Sequence, residues 1–425
     1  MEKNTEIEVS KAACGKCGTV LQMYLRASAY SVVCSSCGAI HNCYNGEPEL
    51  TNHIVGKAAD SHISVGIRGT LKGIPYLVTG YVYKKENGTN YCWEEYVLFN
   101  PVHGQAYLSQ FDGHWMCLCE MADIPSATGL VATHDGSTYN LYSKYKSKIL
   151  SARGEFVYKI DPSETPIVEE YIRPGYLVSK ERTKDYATWY KGEYIQPSVI
   201  KNSFQLASVP ETKGVGMIQP FLGKFSQEGL RKVFIFLFIF WSLLQFYFTF
   251  ASREEIVFEQ PFSITDSLHG KEINSRSFEL KGGTCNAEIQ VHTNVQNNWM
   301  YTAVTLVNEK TGDIFDVGLE AEYYYGYTDG ESWSEGTGWV SKVVSQVPEG
   351  TYYMVITPEK PTSVPVVNIT VTVIRDVFIM SNGLIVLALL SIYPIYYHFK
   401  KNKFEKQRWY NSDYSPYENN DEDNY

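Results

Sequence analysis

At 425 residues the chain exceeds what one ordinary core organises, so several domains are expected. Its formal net charge of −10 argues against a general nucleic-acid binder, which needs a basic face to displace counterions from phosphates, and no nucleic-acid partner is expected. The 33 Tyr, 20 Phe, 32 Gly and 17 Pro favour strands joined by tight turns over helical bundles, and the fold class expected is a mostly β, multidomain protein.

The opening segment, "MEKNTEIEVSKAAC", has no apolar stretch of the signal-peptide kind, so the amino terminus is expected to stay in the cytosol. Residues 10–45 carry Cys14-x-x-Cys17, a spacer of 16 residues, and Cys34-x-x-Cys37. Two such pairs, each followed by a glycine (Gly18, Gly38) that permits a left-handed turn beneath the sulfurs, predict a zinc ribbon. A site closed by four thiolates has no open coordination position, so the Zn²⁺ expected on Cys14, Cys17, Cys34 and Cys37 is structural. A redox site would need one reactive pair opening a helix, whereas both pairs here sit among strand-like segments. His41 and Cys43 follow a complete ligand set and read as part of the exit strand. Of the nine Cys only Cys285 lies beyond the first apolar run, which fits a reducing compartment for the amino-terminal part.

From 60 to 205 the turn signals "ENGTN", "PVHG", "FDGH" and "THDGS" separate runs such as "IPYLVTGYVYK" and "YCWEEYVLF", predicting a strand-rich domain of the small-barrel kind. The alternation in "PYLVTGYV" and "YVLF" implies one buried and one solvated face. A Cys-rich ribbon followed by "GIRGTLKGIPYLVTGYV", "WEEYVLFN", "GQAYLSQFDGHW" and "WYKGEYIQP" resembles bacterial proteins of the domain of unknown function 4178 family over residues 14–205. Those motifs are turn glycines and aromatic anchors, which specify a fold better than a chemistry. The resemblance implies a membrane-associated bacterial protein linked to envelope-stress and polyamine-related gene sets. Glu94, Glu95 and His114 are the candidate acid/base residues of this domain. Neighbouring Glu94 and Glu95 point to opposite faces of a strand, so at most one of them can join His114.

Residues 206–232 read as a linker, or as a peptide packed on the domain before it, with Pro210 and Pro220 blocking regular structure. Residues 233–251 are long and apolar enough to cross a bilayer, and 377–397 form a second span interrupted near its ends by Ser381, Asn382, Gly383 and Pro394. Gln245 and Asn382 either hydrogen-bond between the spans or lie near an interface. Lys224, Arg231 and Lys232 precede the first span, and Lys400, Lys401, Lys403, Lys406 and Arg408 follow the second. The positive-inside rule then puts both termini in the cytoplasm of a two-pass protein of the bacterial inner membrane, with the lipid bilayer as a partner.

Residues 252–376, between the spans, show strand patterning in "AEIQVHTNV", "WVSKVVSQVPEGTYYMVITP" and "VVNITVTVI", and an extracytoplasmic antiparallel β-sandwich is expected with both chain ends at one pole. Within it Tyr323, Tyr325, Trp333 and Trp339 are candidates for an aromatic ligand platform, and Asp329, Glu331 and Glu335 for a Ca²⁺ site. Residues 398–425 read as a basic then acidic disordered tail. No phosphate-binding loop, serine elbow or HExxH motif occurs. The function expected is therefore a non-enzymatic scaffold or sensor linking an outer domain to cytoplasmic protein partners. The alternative is an accessory or enzyme of a polyamine-related modification system acting through the inner β-domain.

Overall fold

The structure is a computed structural model that describes residues 9–25, 28–44, 47–55, 60–223, 226–251 and 254–417. The chain divides into two compact units, one of residues 1–224 with 396–425 and the other of residues 225–395.

In the first unit, β1 (Ser10–Ala13) and β2 (Val20–Met23) form a hairpin, followed by β3 (Ser31–Val33), β4 (Ala39–Tyr44) and β5 (Glu47–His53). Next come β6 (Arg68–Leu71), β7 (Ile74–Glu86), β8 (Cys92–Asn100), β9 (Gly104–Phe111) and β10 (His114–Glu120). The remaining strands are β11 (Ser126–Thr128), β12 (Val131–His134), β13 (Ser137–Phe156), β14 (Ile167–Arg173), β15 (Tyr176–Arg182) and β16 (Ala187–Ile195), and a short helix α1 (Pro197–Ser203) ends the run. Strands pair antiparallel in the order β13-β14-β15-β16-β10-β9-β8-β7, and β7 pairs back onto β13. The sheet is thus a closed eight-stranded barrel with no free edge between its first and last members.

Closure changes what alternation means. On β8, Tyr96 and Leu98 face outward into an apolar core with Tyr81, Leu108, Trp115, Ile200 and Phe204, so α1 covers this side of the wall. Trp93, Glu95 and Val97 face the lumen. The solvated face implied by the sequence is therefore not at the outer surface of β7 and β8, because one face is enclosed by the barrel and the other is roofed.

The ribbon and the barrel are not separate domains. β3 pairs with Gly154–Phe156 at the end of β13, and Val33, Ile40 and Ile54 share a core with Val82, Val97, Ala152 and Phe156. Gly154 has φ 90°, and a Cβ there would collide with the Thr79 carbonyl, so glycine is required where β13 crosses from barrel to ribbon.

Two boundaries differ from the sequence reading. The 206–232 segment is no free linker: Lys213 donates its N–H to the Asp112 carbonyl (2.9 Å), Gly175 donates to the Ile218 carbonyl (2.8 Å), and Ile218 is buried. Nor is 398–425 disordered throughout. Helix α3 runs from Met380 to Arg408, and its end is held by side chains that the sequence presents only as cations. Arg408, 1% exposed, donates to the carbonyls of Gly216 (3.3 Å), Met217 (2.9 Å) and Gln219 (2.6 Å) and pairs with Glu405. Trp409 packs on Tyr142, with ring centroids 5.4 Å apart, and the Tyr142 hydroxyl donates to the Arg408 carbonyl. The acidic end beyond Tyr417 lies outside the described residues.

In the second unit, helix α2 (Gln227–Ala251) begins one and a half turns before the expected span. Both α2 and α3 are long and apolar enough to cross a membrane. Trp241 donates its indole N–H to the Gly383 carbonyl (3.1 Å), and Gln245 packs where a Cβ on residue 383 would stand, so the amide lies between the helices. Between these helices two antiparallel sheets enclose one apolar core that includes Ile289, Val304, Leu306, Met354, Ile356 and Val371. Glu255 pairs with Arg375, so the first and last strands are neighbours and both chain ends leave at one pole, as expected.

Removing the Arg408 guanidinium would leave three buried carbonyls without their charged donor. Arg408→Ala is expected to cost about 3 kcal/mol, read as a fall of about 5–10 °C in the thermal midpoint of the full chain in detergent.

Candidate functional site

Four sulfurs meet in the ribbon. The β1–β2 turn carries Cys14 and Cys17, and the β3–β4 turn carries Cys34 and Cys37. In each turn the glycine N–H donates back to the first cysteine's carbonyl: Gly18 to Cys14 and Gly38 to Cys34, both 2.9 Å, with φ of 73° and 70°. This geometry folds two hairpins into matching knuckles and turns their thiols toward each other. All four Sγ atoms lie within 4.8 Å of one another, with 3.7 Å from Cys14 to Cys37 and from Cys17 to Cys34. Such separations exclude disulfides, whose sulfurs lie about 2.05 Å apart, and suit ligands around one ion. The four cysteines could hold a metal ion. A hydrogen bond with the Thr19 hydroxyl lowers the Cys17 thiol to about 6, favouring the thiolate that a metal needs, whereas burial pushes Cys37 up to about 12. His41 is committed elsewhere: its Nε2 accepts the Gly15 N–H at 3.0 Å.

A residue that sequence reasoning missed ties this cluster to the barrel. Glu155 on β13, fully buried, accepts the backbone N–H groups of Tyr24 and Leu25 in the segment between the two cysteine pairs. Burial raises its carboxyl to about 7, although those two N–H groups oppose the shift. Nothing local in "ARGEF" signals this role, which depends on β13 passing beside the ribbon.

Inside the barrel, Lys84 on β7 pairs with Glu95 on β8 at 2.8 Å and approaches Glu181 on β15 at 4.0 Å. Because β13 and β14 stand between β7 and β15 in the wall, that second contact crosses the lumen. Trp93 and Tyr145 meet edge to face at 5.6 Å, as do Tyr107 and Tyr190, and the Ser143 hydroxyl donates to Glu170 at 2.6 Å. Burial raises Glu170 to about 7. Burial also disfavours the charge on Lys84, but the carboxylates of Glu181 and Glu95 outweigh it and the net shift is upward.

The candidate acid/base trio does not assemble. Glu94 faces outward from the barrel and meets His62 Nδ1 at 3.0 Å, with the hydroxyls of Tyr96 and Tyr81 beside it. Glu95 is in the lumen. His114 packs under the 205–223 peptide, 3.1 Å from the Tyr194 hydroxyl and 3.2 Å from the Lys213 carbonyl, and burial lowers its pKa.

Nor do the outer aromatics form one platform. Tyr325 lies opposite Ser334, while Trp333 lies opposite Gly326, so Tyr325 and Trp333 occupy opposite faces of one hairpin. Tyr323 stacks obliquely near Tyr325 at 5.6 Å, and Trp339 sits on the other sheet opposite His292. Among the described residues Asp329, Glu331 and Glu335 do not converge on a common cation position.

With strand order and turn glycines in place, the barrel can be compared with known families. Residues 64–197 match the family described as domain of unknown function (DUF4178). This DUF4178 segment runs from just before β6 to the start of α1 and so contains all eight barrel strands, while the ribbon lies outside it. No curated protein matches the chain. Among solved structures, an infectious bursal disease virus Gt strain structure is 11% identical, covering 83% of this chain and 66% of that one, with a TM-score of 0.18. The insecticidal delta-endotoxin Cry8Ea1 from Bacillus thuringiensis is 7% identical, covering 73% of this chain and 54% of that one, with a TM-score of 0.15. Superposition that poor carries no argument about fold or activity.

A carboxyl whose pKa is raised on folding binds its proton more tightly in the native state, so it removes stability as pH climbs from about 4.5 through about 7. Glu155→Gln is expected to abolish up to about 3 kcal/mol of that decline. Urea denaturation of both proteins between pH 4.5 and 8 measures the difference, and parallel curves would refute it.

Proposed function

We propose that the chain is a two-pass protein of the bacterial inner membrane that works as a non-enzymatic sensor or scaffold, relating an outer β-sandwich to protein partners of a cytoplasmic, zinc-stapled DUF4178 barrel. The observation that carries this reading is the end of α3. One helix begins beside the sandwich's last strand, is apolar enough to span a bilayer, and ends with Arg408 and Trp409 fastened into the barrel unit. A passive anchor would need no such lock. Cationic residues cluster where α3 leaves its apolar stretch and at the start of α2, which supports both termini lying on the cytoplasmic side. The sensor reading is also favoured over the enzymatic one by the three separate environments of Glu94, Glu95 and His114.

Zinc is the metal we assign to the four cysteines. A tetrahedron with metal–sulfur bonds of about 2.3 Å has edges of about 3.8 Å, close to the 3.7 Å between paired sulfurs. Held by four sulfurs, the ion would have no site for substrate, so its contribution is to fold the ribbon.

Elemental analysis of the purified full chain is expected to give about one zinc per molecule, falling to near zero in Cys34→Ser. Another metal at full occupancy would overturn the assignment. For topology, alkaline phosphatase inserted at the exposed Lys310–Gly312 turn is expected to be active and a fluorescent protein there to be dark. The reverse pattern would place the sandwich inside and end the proposal.

A further inference from the structure

Two cysteines outside the metal cluster share one face of the barrel wall. Cys117 and Cys119 are two apart on β10 and so project to the same side. In register, Cys117 lies opposite Glu193 and Cys119 opposite Lys191 on β16, cross-strand neighbours with Cβ atoms about 5 Å apart. The same side is approached by the β6–β7 turn, where Lys72 and Gly73 both have positive φ (52° and 79°), the two-residue pattern that matches strand twist. That turn delivers the Lys72 ammonium to Glu193. Together these groups, with Tyr76 and Tyr176, line a cavity of about 290 Å³. Cys117 is buried at its base and Cys119 is exposed at its mouth.

We propose that Cys119 is a modification site, a thiolate nucleophile that exchanges with low-molecular-weight disulfides and carries the small thiol as a mixed disulfide in this cavity. The Cys119 sulfur forms the new S–S bond as the disulfide's own S–S bond breaks, and the second sulfur departs as a thiolate. Cys119 is oxidised and the incoming disulfide reduced, with no further oxidant.

Three features support it. The neighbouring Cys117 thiol and the Lys72 ammonium both favour the thiolate, which lowers Cys119 to about 6 against the opposing effect of burial. The remaining cation beside it, Lys191 directly opposite on β16, is held by Asp135 at 3.2 Å and leaves Lys72 as the charge that acts on the sulfur. Finally, the adduct is protected from internal resolution. Residues two apart on a strand have Cα atoms about 6.7 Å apart with parallel side chains, at the limit for a disulfide, which needs Cβ atoms about 3.8 Å apart. Cys117 therefore tunes Cys119 and does not displace the adduct.

The test treats the zinc-loaded full chain in detergent with excess hydroxyethyl disulfide from pH 5 to 9, with the adduct followed by intact mass and located by peptide mapping. One adduct on Cys119 is expected, its rate rising with a midpoint near pH 6 and levelling above about 7. An ordinary cysteine rises through about 8.5 instead. Cys119→Ser should lose the adduct, Cys117→Ala should move the midpoint up by at least about one unit, and Lys72→Met should move it by less. Mapping the adduct to Cys43 or Cys92, finding none on the folded protein, or a wild-type midpoint near 8.5 would each overturn the proposal. Should Cys119→Ser fail to fold, the wild-type map and the Cys117→Ala midpoint still decide.

Discussion

The pairing of β7 with β13 is the constraint on which the first unit depends. Among the described residues β13 is the longest strand, at 20 residues, and it hydrogen-bonds in turn with β12, β14, β7 and β3. Without that seam the sheet would be open, Lys84 and Glu181 would have no shared interior, and the ribbon would have nothing to lean on. Closure also sets an unusual division of polarity for a small barrel. One part of the lumen is filled by Val82, Val97 and Ala152 against the ribbon and another by Met116, Ile172 and Leu177 with Ile218 and Trp409, while charges and tyrosines lie between, and much of the apolar surface faces outward beneath α1 and the following peptide.

The ribbon's dependence on the barrel runs through a buried carboxylate. Glu155 satisfies two backbone donors that a short, irregular crossing between hairpins would otherwise leave unpaired, and an unpaired buried N–H is costly. A metal on the four cysteines would fix each hairpin to the other, as Glu155 fixes the crossing to the wall. These are different kinds of restraint with opposite responses to acid, since thiolates lose a metal as pH falls while the carboxyl loses its desolvation penalty.

Much of this was legible in the residues. The cysteine spacing, the glycine after each pair, the two apolar runs and the turn dipeptides each act over a few positions, and each appears in the structure at the place its local chemistry required. What could not be read depends on residues distant in sequence. Glu94 meets His62 and not His114 because of register: Glu94 lies across Gln110 from Trp115, so His114, the next residue on β10, points to the other face of the wall. Tyr325 and Trp333 are part of one aromatic-rich stretch, yet hairpin register turns them to opposite faces. Arg408 stands at the end of a basic run and reads as one more membrane-proximal cation. Its burial becomes evident only when residues 216–219 arrive from nearly two hundred positions away.

Those residues belong to a short strap whose other attachments give the lock on α3 a mechanical meaning. The strap is tied to the Asp112 carbonyl through Lys213, lies with Gly216 against the His114 ring, and accepts the Gly175 N–H through Ile218. His114 opens β10, and Gly175 sits in the tight turn joining β14 to β15. A rope drawn taut between two posts passes a tug to both, and a shift at the helix's last turn is handed to two neighbouring posts on one sector of the barrel's rim, where only β16 stands between β15 and β10.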